Sequence, residues 1–173
     1  APLAVAHVSA WTNEMVGKLM INGIINVEST GLYSVGYRFG MLVMMVEVAL
    51  SRAWLPFFYE NIKSGTHAVN VKIVKATYVC ITGLVLLSLI VGFGSKYFLY
   101  MMVDPKFYAA ASFILLISIA YCFDGIWKLF LGYLVQDNKT QYYTYIIIAS
   151  AILNIVLSYV LLHKIGLMGA AWA

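Results

Sequence analysis

Charge is what this sequence has least of. Asp, Glu, Lys and Arg make up 10% of the 173 residues, where an average soluble domain carries roughly 25%. Apolar residues reach 63% against roughly 45–50%, and a soluble core of this size has no room for them. That balance excludes a water-soluble globular domain. Catalytic signatures are also missing: no HExxH, P-loop, GxSxG or Asp-rich metal motif occurs. The histidines His7, His67 and His163 lie far apart, and no long loop could house a catalytic domain. An enzyme would have to work wholly inside a membrane. Cys80 and Cys122 stand in apolar runs without CxxC or Cys/His spacing, so they read as small buried apolar residues. The net charge of +4 comes from basic residues scattered along the chain, which argues against a nucleic-acid partner.

What is there is long apolar runs. From Ala76 to Ser95, and from Thr140 to Leu162, no charged side chain occurs. Each run covers the about 20 residues that a helix needs to cross a hydrocarbon layer. The fold class expected is all-α: a polytopic membrane bundle of five transmembrane helices plus the start of a sixth. The spans are drawn over 3–25, 32–57, 76–94, 109–134 and 142–162, with another starting at 166–173. Membrane strands would need short alternating segments, and these runs are continuous. The first residue is not an initiator, and "GLMGAAWA" starts a new apolar helix at the last. The sequence therefore reads as a piece of a longer protein.

Lysine and arginine in the short loops set the orientation. Arg52, Lys63, Lys72, Lys75 and Lys139 fall on one side, and Lys96, Lys106 and Lys164 on the other. The bias places the Glu60–Lys75 connector and the "QDNKTQ" loop in the cytoplasm. Tyr97, Tyr100, Tyr142, Tyr143 and Tyr145 at span ends suit interfacial belts.

Several spans contain charges, which needs a reason. A charged group at the centre of a span costs roughly 2.5–3.5 kcal/mol, while Leu or Ile returns only about 0.3–0.6. Glu14 and Lys18 stand four apart, acid first, the favourable order for a helical pair. Asn22 and Asn26 continue the step, giving one polar stripe that is tolerable only against other helices or water. Asp124 and Lys128 repeat the device, and Ser150, Asn154 and Ser158 share a face of the fifth span. Arg38 and Glu47 are nine apart, on opposite sides of their helix. Each must find a partner elsewhere, reach the headgroups or sit in water. Gly36 and Gly40 form a GxxxG, read as close packing before a dimer site. Buried cations with short loops suit a carrier of something anionic.

"STGLYSVGYRFG", Ser29 to Gly40, followed by "RAWLPFFYE", resembles the "vGlYsvay" segment and helix-closing proline of bacterial polysaccharide flippases. These are the O-antigen and lipid-linked oligosaccharide translocases of the multidrug/oligosaccharidyl-lipid/polysaccharide superfamily. "LNIVLSYVLLHKIGLMGAA", Leu153 to Ala171, is similar to their "lNi...lLip..G..GAA". "VGKLMI" stands where the family has "iDRfmi", with Gly17 for the Asp and Lys18 for the Arg.

The resemblance implies the C-terminal half of a twelve-helix protein, the N-terminal bundle being absent, and two bundles rocking around a central cavity. It implies flipping of an undecaprenyl-diphosphate-linked oligosaccharide across the bacterial inner membrane, for O-antigen or exopolysaccharide synthesis, with no bond broken. Lys18, Arg38 and Lys128 would face the diphosphate as cavity cations. Glu14, Glu47 or Asp124 would carry a coupling ion or pair with the cations, and Asn22 and Asn154 would belong to the polar lining. No cofactor is implied, and coupling to H+ or Na+ is left open. Expected partners are the lipid-linked oligosaccharide, membrane lipids, a polysaccharide polymerase and a chain-length regulator. Two other readings stay open: a drug/cation antiporter or peptidoglycan-precursor flippase of the same superfamily, and an intramembrane acyltransferase or polysaccharide polymerase.

Overall fold

The computed structural model of the chain describes residues 15–62, 66–136 and 140–173. It is a helical membrane bundle, with no strand among the described residues. The helices are α1 (Met15–Ile24), α2 (Val27–Ile62), α3 (His67–Met102), α4 (Ala111–Gln136), α5 (Thr140–Ile165) and α6 (Leu167–Trp172), with a 3-10 turn at Pro105–Ala110. Helices α2, α3, α4 (together with the 3-10 turn) and α5 are each long and apolar enough to cross a membrane. The start of the first expected span, up to residue 14, lies outside the described residues.

The helices overrun the apolar runs that announce them. At 36 residues, α2 is about 54 Å long, well beyond a hydrocarbon layer of about 30 Å. Hydropathy marks where a helix meets lipid, whereas backbone hydrogen bonds continue into water. Thus α3 starts at His67, nine residues before the charge-free run, and carries Asn70, Lys72 and Lys75 on its first turns. The "NVESTG" segment, read as a turn, is mostly the first turn of α2. Asn26 caps it, its Oδ1 accepting from the Ser29 amide at 2.7 Å, and Glu28 lies in the first turn, where the helix dipole favours an acid.

Helices α2 and α4 run parallel along their length, with α3 antiparallel against both. Between them lie two apolar clusters. One gathers Ile21, Tyr33, Leu99, Phe113, Ile114 and Ile117; the other holds Trp54, Phe58, Ile73 and Leu129. Trp54 Nε1 fixes the second by donating to the Leu129 carbonyl at 3.0 Å. Burial inside the chain covers only 11% to 39% of each helix's apolar stretch, so most of the apolar surface is left for lipid or other helices.

The close crossings use glycine. Gly36 lies against Ala110 and Phe113, and Gly40 against Ile117, so the GxxxG packs α2 on α4 within the chain. Gly166, at φ 63° and ψ −144°, makes the turn from α5 to α6 in a region that is essentially glycine's alone. Gly169 then crosses the Leu161 backbone where a Cβ would collide. Gly166→Ala is expected to cost about 1–3 kcal/mol locally. It should appear as faster amide exchange over Leu167–Trp172 with the α2–α4 core unchanged.

Candidate functional site

Two polar patches interrupt this apolar interior. The first sits midway along α2, between the two apolar clusters. Glu47 is 0% exposed, and its Oε1 lies 2.9 Å from Lys128 Nζ on α4. The same ammonium is 2.6 Å from Asp124 Oδ2. The i,i+4 pair expected within α4 is therefore two arms of a triad, and the partner that Glu47 requires is Lys128. Ser51, one turn along α2, donates to the same Oε1 at 3.2 Å. Glu47 Oε2 is buried without a hydrogen-bond partner.

Gly125 explains how a charged side chain fits there. A Cβ on it would come within 2.6 Å of Glu47 Cγ and 2.9 Å of Leu84 Cδ1 on α3. The missing side chain admits the carboxylate, and Leu84 keeps that side dry. Two carboxylates and one ammonium give the triad a formal charge of −1. Its outer edge is wetter: the side chains of Lys128 and Asp124 are 32% and 45% exposed.

The second patch is a groove of about 350 Å³ between α1 and α2, lined by Lys18, Asn22, Thr30 and Ser34 with Met15, Leu19, Val27 and Gly31. Lys18 Nζ stands 5.0 Å from the Tyr37 ring centre, a cation–π distance. Tyr37 in turn packs edge-on to Tyr121 of α4. Thr30 donates its hydroxyl proton to the Asn26 carbonyl, and Ser34 donates to the Thr30 carbonyl. Both oxygens keep acceptor lone pairs. Arg38, one turn beyond Ser34 on the same face of α2, is exposed and makes no ion pair among the described residues.

The expected residues thus divide into groups. Lys18 and Asn22 share the groove, and Arg38 continues its face. Glu47, Asp124 and Lys128 form the separate triad, about 14 Å further along α2 from Arg38 by helical rise. Glu14 lies outside the described residues. Asn26, assigned by spacing to the α1 stripe, serves as the α2 cap instead. Asn154 donates from Nδ2 to the Ala173 carbonyl at 2.9 Å, tying α5 to the end of α6. Ser158 is buried while Ser150 is exposed, so the α5 stripe turns from solvent or lipid into the packing. Cys80 and Cys122 are free thiols. Among the described residues no group of three His, Cys, Asp or Glu could hold a metal ion.

Sequence reasoning missed Thr30, Ser34, Ser51 and Gly125. The first two were findable: stepping by four from Arg38 toward the N-terminus lands on both. Gly125 had a weaker signal, a glycine beside the acid of an intramembrane ion pair.

The family model described as MatE matches residues 2–160. No curated protein and no solved structure matches the chain.

Proposed function

The chain belongs to the MatE family, transporters of the multidrug/oligosaccharidyl-lipid/polysaccharide superfamily, and from that premise we propose that it flips a lipid-linked oligosaccharide. The cargo would be an undecaprenyl-diphosphate-linked glycan, carried from the cytoplasmic to the periplasmic leaflet of a bacterial inner membrane. A polysaccharide polymerase and a chain-length regulator would then take it up. The observation that carries this reading is the α1–α2 groove.

A diphosphate needs positive charge near a polar lining. Lys18 lines the groove and Arg38 continues its face of α2, while Lys128 lies on α4 between two carboxylates. Sugar hydroxyls need acceptors, and Thr30 and Ser34 present oxygens whose protons are engaged in their own helix. Asn22 adds both a donor and an acceptor. Charge at one end and acceptors at the other match a headgroup that is anionic near the lipid and polyhydroxylated beyond it. No bond is made or broken; rocking of one bundle against another would open the groove to each side in turn.

Lys18→Ala and Arg38→Ala in the intact protein are each expected to abolish surface polysaccharide while membrane abundance holds. Arg38→Lys should restore only part, because an ammonium lacks the two-pronged phosphate geometry of a guanidinium. Normal polysaccharide in both alanine variants would overturn the reading. The net negative triad favours a second reading, export of a cationic compound by an antiporter of the same superfamily. Cation efflux retained in Lys18→Ala and Arg38→Ala but lost in Glu47→Gln would support it.

A further inference from the structure

We propose that the pocket between the start of α2 and the 3-10 turn, bounded by Glu28 and Lys106, binds the headgroup of a phosphatidylethanolamine lipid. The pocket holds about 490 Å³ and is lined by Glu28, Ser29, Gly31, Leu32, Lys106 and Phe107. It shares Gly31 with the α1–α2 groove but none of the groove's polar side chains. It is a separate site, and the inference does not rest on the cargo reading.

The chain sets the depth of this pocket. No charged residue follows Glu28 until Arg38, nor Lys106 until Asp124, so these two side chains are the last charges before apolar stretches on neighbouring elements. Tyr97 and Tyr100 are exposed on the last turns of α3, and the Tyr100 ring meets that of Tyr108, next to Phe107, at 4.2 Å. Tyrosines at a span end mark the headgroup layer. Local hydrogen bonds fix the base in place: Asp104 Oδ1 accepts from the Lys106 amide at 3.2 Å, and the Asp104 carbonyl from the Phe107 amide at 2.9 Å. Glu28 and Lys106 are exposed, whereas Leu32 and Phe107 are half-buried. A charged rim with apolar walls beneath it suits a molecule polar at one end and apolar at the other, which a free phosphate is not.

One acid and one base select a zwitterion. Glu28 makes no ion pair among the described residues. Asp104 holds Lys106 loosely, at 4.0 Å between side chains that are 59% and 63% exposed, and exposed pairs of this kind contribute little. The ammonium therefore keeps donors for a lipid phosphate. A headgroup that is only anionic would bring Glu28 repulsion without a cation. Choline brings a cation that lacks the N–H groups which the Glu28 carboxylate and Ser29 hydroxyl could accept; an ethanolamine ammonium supplies them.

Native mass spectrometry of the intact protein, with phosphatidylethanolamine, phosphatidylcholine or phosphatidylglycerol added at equal concentration, tests the site. The expected result is one phosphatidylethanolamine retained in preference to the other two lipids. Lys106→Met is expected to weaken its retention about tenfold, the loss of one charge-assisted hydrogen bond, and Glu28→Gln to abolish the preference over phosphatidylcholine. Lys96→Met removes a charge from the same end of the bundle but outside the pocket, and should leave retention unchanged. Should the charge variants fail to fold, Gly31→Leu decides: a Cβ there meets nothing within 4 Å, so leucine enters open space and is expected to displace the lipid. Phosphatidylcholine or phosphatidylglycerol held as firmly as phosphatidylethanolamine overturns the proposal, as does retention unmoved by Lys106→Met, Glu28→Gln or Gly31→Leu. An equal loss in Lys96→Met assigns the effect to general surface charge and overturns it too. Displacement of the lipid by water-soluble glycerophosphoethanolamine at the same concentration gives the pocket to a soluble ligand and has the same consequence.

Discussion

Lys128→Met is expected to destabilise the folded chain by about 3 kcal/mol, and adding Glu47→Gln with Asp124→Asn to recover most of it. Removing one member of a buried ion pair typically costs about 3–5 kcal/mol, because the remaining charge loses its partner but not its burial. The lower end applies because Lys128 and Asp124 retain some exposure. In the single variant, Glu47 keeps only the Ser51 hydroxyl among its donors, and its net charge stays inside the bundle. The triple variant removes all three charges together. Amides then replace the carboxylates, and methionine fills the space of the lysine stem. Unfolding of the purified protein in a bilayer mimic, followed by tryptophan fluorescence, reads both effects, since Trp54 sits one turn beyond Ser51. Lys128→Met as stable as the parent chain would show that the triad holds nothing together. A triple variant no better than the single one would place the loss in packing instead of charge.

The triad marks the boundary of what sequence could tell. Helix positions were legible because lipid demands uninterrupted apolar runs, and the charge-free stretches at Ala76–Ser95 and Thr140–Leu162 fall inside α3 and α5. Helix ends were not, because polar first turns such as that of α3 satisfy the same backbone hydrogen bonds in water as in lipid. Helical spacing showed that Glu47 and Arg38 could not pair, so each had to look outward. Naming Lys128 as the partner of Glu47 required knowing that α2 and α4 run side by side in the same direction, which depends on long-range packing. The same fact separates Lys128 from Lys18 and Arg38: all three are intramembrane cations by sequence, but Lys128 lies on α4, between the carboxylates of Glu47 and Asp124. Asn26 shows the opposite failure. Its step of four from Asn22 fitted the stripe, yet an Asn before a helix has a local use as a cap that spacing alone does not distinguish.

Gly40→Leu is expected to separate α2 from α4 at a cost of about 3 kcal/mol, near the top of the usual range for overpacking. Leucine is the better helix former by roughly 0.8–1 kcal/mol, so propensity alone predicts the opposite sign. The contact decides against it. A Cβ at Gly40 would overlap the Ile117 side chain, which is only 5% exposed and stiff about its first torsion because it is β-branched. The neighbour cannot swing aside, and the helix must move. Ile117→Ala alone should cost about 2–5 kcal/mol through the cavity it leaves. Combining the two exchanges a large residue on α4 for one on α2, so the double variant should be more stable than the sum of the single losses allows. A coupling of about 1 kcal/mol or more from the double-mutant cycle, with unchanged oligomeric state, would locate the glycine's role in this crossing. Additive losses accompanied by dissociation of an oligomer would instead make Gly36 and Gly40 a contact between chains. The outcome also bears on transport, because Tyr37 of the groove and Glu47 of the triad lie on either side of Gly40. A rigid α2–α4 crossing is what would carry a change at the triad to the groove.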